Sequence, residues 1–289
     1  MESPPDHLLY PLDVFVEDFK ANYERGVDVL RDTDVAFVGL ARNCDKWLAG
    51  NLARLVQLCD GVRSWRLHVR TNDNTDETPR VLHEFCQEYP QASYIDQTLG
   101  RKHYGAEWAG PRTQALAEYR TECQSWVRES APNASLVVAI DFDMWGGWSH
   151  AGFLHGVGAL AANPHAYGMA SVSLMRHFQM VMSPAGEAKR ERTWLQYDCW
   201  ALRLNSSFDD YTAGIGGWKH SWLPPVGSPV VPVASAFGGM TIYETGAYLS
   251  GTYDGSDCEH VPFHASIAAK TGKSLYLDPA MRTVMSWLE

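Results

Sequence analysis

Apolar and polar positions alternate along the first half of the chain between a helical and an extended period. After a Pro-containing start, residues about 12–30 carry an amphipathic helical stripe. An apolar run at 35–40 reads as the first strand and ends in Ala41, Arg42 and Asn43. Trp47, Leu48, Leu52, Leu55, Val56 and Cys59 then fall on one helical face. A second strand pattern at 65–70 runs into the polar stretch 71–78, and Pro79 opens a helix whose face is Val81, Leu82, Phe85 and Tyr89. A short strand around 92–95 leads to a polar, glycine-containing loop at 98–110. Pro111 starts a further helix with Ala115, Leu116, Tyr119, Cys123, Trp126 and Val127 inward. The sharpest pattern is 135–143, where an unbroken apolar run rich in β-branched residues stops at Asp141 and Asp143. Such a run is the mark of a strand buried on both faces. The order β-α-β-α-β-α-β predicts a mostly parallel sheet with right-handed crossovers, an α/β fold.

The character changes after Asp143. The pattern predicts a helix over 153–162, a strand over 167–175, a charged loop at 183–193 and another strand at 194–204. Residues 205–230, rich in Gly, Pro, Ser and Trp, read as a long irregular segment, a length uncommon without a function. A strand pattern at 231–243 is interrupted by Gly238-Gly239, 258–271 resembles a helix, and a strand at 275–277 with Asp278-Pro279 closes the chain.

With 289 residues the chain can bury a full core, and 45% hydrophobic with 20% charged residues is ordinary for a globular protein. A net charge of −10 disfavours extended binding to a nucleic-acid backbone, which needs basic surface. The six cysteines form no C-x-x-C pair, so neither a structural zinc site nor a disulfide framework is expected. The N-terminus lacks the basic start and apolar core of a signal peptide, and no run approaches the ~20 apolar residues of a membrane helix. The expectation is a soluble protein of a reducing compartment, the cytoplasm. The 11 Trp and 13 Tyr suit stacking on sugar rings or bases as well as core packing.

The loops after the predicted parallel strands meet at one sheet edge, where open α/β sheets bind ligands. They hold Ala41, Arg42 and Asn43; Asn72, Asp73 and Asp76; and Asp141, Phe142 and Asp143. Residues two apart on an extended backbone point to the same side, about 7 Å apart. Asp141 and Asp143 thus offer two hard oxygen ligands suited to Mg²⁺ or Mn²⁺, or simply begin a turn. Asn72 to Asp76 is either a ligand contact or a turn with a helix cap. Arg112 opens the helix before the fourth strand, and Arg120 lies two turns further on. No G-x-G-x-x-G follows the first strand and no G-x-x-x-x-G-K-[ST] occurs, so a diphosphate would be neutralised by something other than a glycine-rich loop, and a cation on Asp141 and Asp143 is the available candidate. In the last third, Asp257, Cys258, Glu259, His260 and His264 cluster. Glu259 can act as a base or as a favourable charge at a helix start, and His260 or His264 can ligate metal or serve structure. Asp198 with Trp200 and Arg203, and Ser235 to Gly239, complete the candidates. The paired glycines mark either a close ligand approach or a bulge.

Taken together these residues resemble nucleotide-sugar-dependent glycosyltransferases of the GT-A fold. The resemblance spans about residues 34–280 and rests on Ala41-Arg42-Asn43, the Asn72-Asp73-x-Thr75-Asp76 loop, Asp141-Phe142-Asp143, Ser235 to Gly239, Cys258-Glu259-His260-Val261, Gly272 and Asp278-Pro279. With residues 1–33 read from their own pattern as a leader helix, it implies one GT-A-like domain at 34–289, with a nucleotide-binding half to 143 and an acceptor half from 144. It further implies a UDP- or GDP-type sugar donor held by Ala41, Arg42, Asn43, Asn72, Asp73, Arg112, Asp141, Phe142 and Asp143. Mn²⁺ or Mg²⁺ would sit on Asp141 and Asp143 with His264 or His260. Sugar and acceptor would lie near Asp198, Trp200, Phe237, Gly238 and Gly239, with Glu259 or Asp257 as base. The activity implied is transfer of a hexose or pentose to a hydroxyl acceptor, a glycan or a modified nucleobase. A glycan- or nucleotide-binding module without turnover and a metal-dependent nucleotidyltransferase or phosphohydrolase are the rival readings.

Overall fold

The computed structural model describes residues 3–105, 107, 110–182, 184, 186–204 and 215–287. Its first half follows the predicted alternation: α1 (Val16–Arg31), β1 (Asp34–Leu40), α2 (Asp45–Cys59), β2 (Ser64–Asn72), α3 (Thr78–Glu88), β3 (Ala92–Gln97), α4 (Pro111–Ser130) and β4 (Leu136–Asp141). The second half adds β5 (Gly147–Trp148), α5 (His150–Ala162), β6 (Ala166–Met182), β7 (Ala188–Gln196), β8 (Val231–Val233), β9 (Met240–Glu244), α6 (Thr245–Ser250), α7 (His260–Thr271) and β10 (Ser274–Trp287). None of the described helices is long and apolar enough to cross a membrane.

The described strands form one sheet in the order β3-β2-β1-β4-β9-β6-β10-β5, with β7 on β6 and β8 on β10. β3, β2, β1 and β4 are mutually parallel, whereas β9 runs antiparallel to both of its neighbours, β4 and β6. Side chains two apart share a face, so each central strand feeds two cores. Val35, Phe37, Leu136, Val138 and Ile140 pack under α1, α2, α3 and α5. Ala36, Val38, Val137 and Ala139 pack under α4, α6 and α7 on the other face. The chain builds outward from β1 to β3 with α2 and α3 on one side, then returns to β4 with α4 on the opposite side. The strand order therefore reverses between β1 and β4, which opens a crevice at their C-terminal ends.

Several expectations are corrected in the second half. The charged stretch at 183–193 was expected as a loop, but most of it is β7, which pairs in register with β6 from Met182↔Ala188 to Leu174↔Gln196. Its charges face solvent, so the apolar period that marks a strand is missing. The strand expected at 194–204 stops at Gln196, where Asp198 accepts the backbone N–H of Ala201 (3.3 Å) and closes a turn. The last strand does not end at Asp278-Pro279: β10 bulges there, with a register shift between Asp278 and Arg282, and continues to Trp287. A bulge is where proline fits within a sheet. The irregular segment expected over 205–230 lies partly outside the described residues, at 205–214.

α1 crosses α5 at backbone contact distance. A Cβ on Gly26 would lie 1.8 Å from the Leu154 carbonyl oxygen, and one on Gly158 would lie 1.9 Å from that of Asn22. At Gly50, on the exposed side of α2, a Cβ would meet nothing within 4 Å. Alanine at these sites should act with opposite signs. Gly26→Ala should destabilise the fold by roughly 1–3 kcal/mol through overpacking, while Gly50→Ala should stabilise it by up to about 1 kcal/mol through helix propensity. Urea unfolding of the two variants measures both.

Candidate active site

The loops after β1 and β2 are latched to one another before any ligand is considered. Asn43, in the left-handed region (φ 52), accepts the Thr75 N–H at 2.7 Å and donates its own N–H to Asn74 Oδ1 at 3.0 Å. Asp76 accepts the N–H groups of Asp45 (3.1 Å) and Thr78 (3.0 Å), satisfying donors at the starts of α2 and α3 together. The loop at 98–102 is gathered onto this base by Arg42 and Asp73. The Arg42 guanidinium donates to the carbonyls of Arg101 (2.6 Å) and Lys102 (3.1 Å). The Asp73 carboxylate accepts from Leu99, Gly100 and Arg101 N–H and from Asn72 Nδ2. Desolvation pushes the Asp73 pKa upward, but these four hydrogen bonds outweigh it and hold it down to about 2. All four of its lone-pair positions are thereby used. Arg42, Asn43, Asn72 and Asp73 thus reach one place, and their side chains are engaged in holding its frame. Ala41 is buried beneath them.

At the end of β4 the alternation of the strand separates three neighbours. Phe142 turns into the core and packs over Gly39, where any Cβ would lie 2.5 Å from the ring. Asp141 and Asp143 are left on the opposite, open side. Asn51 on α2, nearly inaccessible, donates to the carbonyls of both Phe142 (2.9 Å) and Met144 (2.6 Å) and fixes this turn. Its position within the Leu48, Leu52 and Leu55 face is the one sequence signal that marks it, a polar side chain where an apolar one is expected.

Two arginines of α4 meet the acids. Arg120, with 4% of its side chain exposed, donates to Asp141 Oδ1 at 2.7 Å, and its Nε lies 3.7 Å from Glu259 Oε1. Its guanidinium rests over the Phe237 ring at 4.7 Å. Burial works against its charge, but Asp141 and Glu259 more than compensate, so its pKa rises. Arg112 stacks over Trp200 (5.2 Å) and donates to the Glu107 carbonyl (3.1 Å). Its positive charge is felt by both Asp143 and Asp198.

Asp143 is accessible to solvent yet closely surrounded by protein, as in the floor of a cleft. Among the described residues no side chain hydrogen-bonds its carboxylate, and desolvation followed by the charge of Asp141 pushes its pKa up to about 7. Asp198 joins from the turn after β7, its Oδ2 accepting the Gly238 N–H (2.9 Å), and burial raises its pKa as well. The preceding Tyr197 exposes 40% of its surface beside these acids, and desolvation with Asp198 and Asp143 pushes its phenol up to about 12. Nothing in the apolar pattern of the sequence singles out Tyr197.

Glu259 precedes the first turn of α7 but makes no cap to it; its buried carboxyl faces Arg120 instead. Burial raises its pKa and Arg120 opposes the rise. Asp257 turns the other way, toward Arg203, whose guanidinium lies 3.3 Å from both carboxylate oxygens. His264 uses both ring nitrogens, with Ser235 Oγ and Tyr243 OH each at 2.9 Å, and burial depresses its pKa to about 3. His260 stacks on Phe237 at 4.0 Å; its Nε2 lies 3.4 Å from Glu259 Oε1, among the described residues neither ring nitrogen makes a hydrogen bond, and burial holds it neutral. Gly238 and Gly239, both at positive φ, form the turn before β9. A Cβ on Gly238 would lie 2.1 Å from the Ser171 carbonyl oxygen, and Gly239 supplies the carbonyl that accepts the Asp141 N–H (2.9 Å).

The arrangement thus collects Asp141, Asp143, Asp198 and Glu259 around Arg112 and Arg120. Among the described residues no three His, Cys, Asp or Glu side chains are already grouped as a metal cage. The donor set nevertheless fits a divalent cation. Among the described residues no side chain hydrogen-bonds Asp143, and burial with its acidic neighbour disfavours its charge, which an added positive charge there would offset.

No protein-family model matches the chain, and no curated protein sequence matches it. Solved structures do. GalNAc-T7, in a crystal structure with UDP, GalNAc and Mn²⁺, aligns with a TM-score of 0.50 at 11% identity over 99% of this chain and 55% of that one. The mannosyltransferase PcManGT from Pyrobaculum calidifontis, in complex with GDP-Man and Mn²⁺, aligns at 0.48 and 13% identity over 94% and 65% respectively. S. aureus TarS 1–349 with UDP-GlcNAc aligns at 0.47 and 10% identity over 89% and 59%. This chain spans about 55–65% of the length of these three. At such identities the likeness speaks to the fold alone, and that fold is α/β of the GT-A type.

Proposed function

We propose that this chain is a metal-dependent glycosyltransferase that moves a sugar from a nucleoside-diphosphate sugar to a hydroxyl acceptor. The observation that carries the reading is the Asp143 carboxyl, which no side chain among the described residues hydrogen-bonds, beside Asp141 at the crevice where the strand order reverses and with Arg112 and Arg120 facing it. The UDP and Mn²⁺ that accompany GalNAc-T7 in its crystal structure are ligands of the kind this reading expects.

Asp143 and Asp141 would hold Mn²⁺ or Mg²⁺. Of the two histidines His260 is the more open to that role, because among the described residues its ring nitrogens make no hydrogen bond, Nε2 lying 3.4 Å from Glu259 Oε1, while those of His264 are taken. When bound, the cation supplies positive charge for the diphosphate that departs. The chain's own groups do the rest. Arg112, steadied on Trp200, adds a second positive charge on the same side. Arg42, Asn43, Asn72 and Asp73 shape the frame for the nucleotide rather than lending free side chains to it. Glu259 takes the acceptor proton as the acceptor oxygen bonds to the anomeric carbon and the sugar–phosphate bond breaks. Asp257 is less suited to that task, since Arg203 already engages both of its oxygens. Asp198, with Phe237 and Gly238, lines the sugar side, and Tyr197 and Trp200 offer aromatic surface for a ring.

Thermal shift with nucleotide sugars tests the donor half of the proposal. A UDP- or GDP-sugar should raise the Tm only with Mn²⁺ present, by mass action, and Asp143→Asn should abolish the metal-dependent part. No response to any such donor with Mn²⁺, or an undiminished response in Asp143→Asn, would overturn it.

Glu259→Gln should keep donor binding and lower kcat by roughly 10²–10⁴-fold, the range for losing a general base. Because burial raises its pKa, the acid limb of the wild-type kcat/KM profile should lie above the ordinary glutamate range and turnover should fall as pH drops through it. Unchanged turnover in Glu259→Gln with loss in Asp198→Asn would move the base to Asp198.

A further inference from the structure

β6 outruns the sheet. Its pairing with β10 ends at Arg176, and from His177 to Met182 β7 is its one partner among the described strands, as a two-stranded ribbon. Residues directly opposite in such a pair share a face. The register Phe178↔Arg192, Met180↔Arg190 and Met182↔Ala188 therefore gives one face two arginines, two methionines and a phenylalanine, with no acid. Of the nearby acids, Glu191 is on the other face, where Lys189 pairs with it at 3.1 Å, and Glu187 precedes β7 beyond the last ladder pair. Met180 and Met182 are 62% and 63% exposed, and Arg190 lies 3.7 Å over the Phe178 ring, with Arg192 at 5.4 Å. A ribbon two strands wide gains little from its own hydrogen bonds in water, and exposed apolar side chains on it call for a partner. In a chain of net charge −10 this face stands out as cationic and apolar together.

We propose that this face of the β6–β7 ribbon docks onto an anionic lipid bilayer. The mixture of its side chains matches what a bilayer surface offers. Met180 and Met182 share the face with Arg190 and Arg192, and Met182 with Ala188 is the last pair before the stretch 183–187 that joins the two strands. Laid against a bilayer, this face would seat its thioethers at the acyl boundary while guanidinium groups remain at the level of lipid phosphates, their stems packed along apolar surface. A single-stranded nucleic acid fits less well. Such binders offer aromatic faces for base stacking, and of the rings on this face Phe178 is already covered by two arginines while Trp194 packs on the cluster of Leu8, Leu174 and Val284. The proposal is independent of the chemistry assigned to Asp143 and Glu259, because vesicle binding is read without turnover.

Co-sedimentation of the full chain with vesicles tests it. The chain should pellet with vesicles of phosphatidylcholine and phosphatidylglycerol, stay in solution with phosphatidylcholine alone, and be released by high salt. R190A/R192A should lower the partition coefficient roughly 30-fold, from about 1 kcal/mol per cation near an anionic surface. M180S/M182S should weaken binding while leaving its salt dependence in place. These side chains face solvent, so an unchanged Tm in each variant shows that the fold is retained. Absence of binding to the anionic vesicles, equal partition of the variants and wild type, or arginine-dependent binding to single-stranded RNA without vesicle binding would each overturn the proposal.

Discussion

A guanidinium held out of water between two carboxyl groups, Arg120 between Asp141 and Glu259, ties the two halves of this protein together. Charges so placed are held by each other and by hydrogen bonds, and removing one partner of a buried pair typically costs about 3–5 kcal/mol because the other is left uncompensated. Arg120 comes from α4, Asp141 from the end of β4, and Glu259 from the start of α7. Phe237, beneath the guanidinium, comes from the segment leading into β9. Four parts of the chain are therefore fixed relative to one another by a single side chain. The Asp141 N–H, bonded to the Gly239 carbonyl at 2.9 Å, repeats the tie through the backbone.

Around this tie the acids divide by how fully their oxygens are used. Asp73 accepts four hydrogen bonds and is driven down to about 2, the state of a carboxylate that holds a loop. Asp143 has no side-chain hydrogen bond among the described residues, and desolvation with the charge of Asp141 drives it up to about 7. The direction of each pKa follows from the balance of hydrogen bonds against burial and neighbouring charge. The histidines divide in the same way: His264 is saturated by Ser235 and Tyr243, and His260 is not.

The alternation of helix and strand through β4 was legible because each element carries a long, clean period: the runs at 35–40 and 136–140 are short and apolar, and the face of α2 repeats every three or four residues. Local patterning also placed Asp141 and Asp143 together, since an extended backbone sends alternate side chains to one side. It mistook 183–193 for a loop because the outer part of the ribbon buries neither face, so no apolar period is written there. It stopped the last strand at Pro279 because a bulge, which lets proline into a sheet, leaves no mark in the residue pattern.

What the sequence by itself determined is the fold class and the placing of Asp141 and Asp143 at the end of one strand, both of which depend on contacts between neighbours along the chain. Tertiary structure decided which charged groups face one another. Arg120 and Glu259 are 139 positions apart, and Asp73 looks as suited to a ligand as Asp143 until the loop at 98–102 closes over it. Whether a carboxyl group is satisfied is a property of the donors around it, and those arrive from distant segments only when the sheet is assembled.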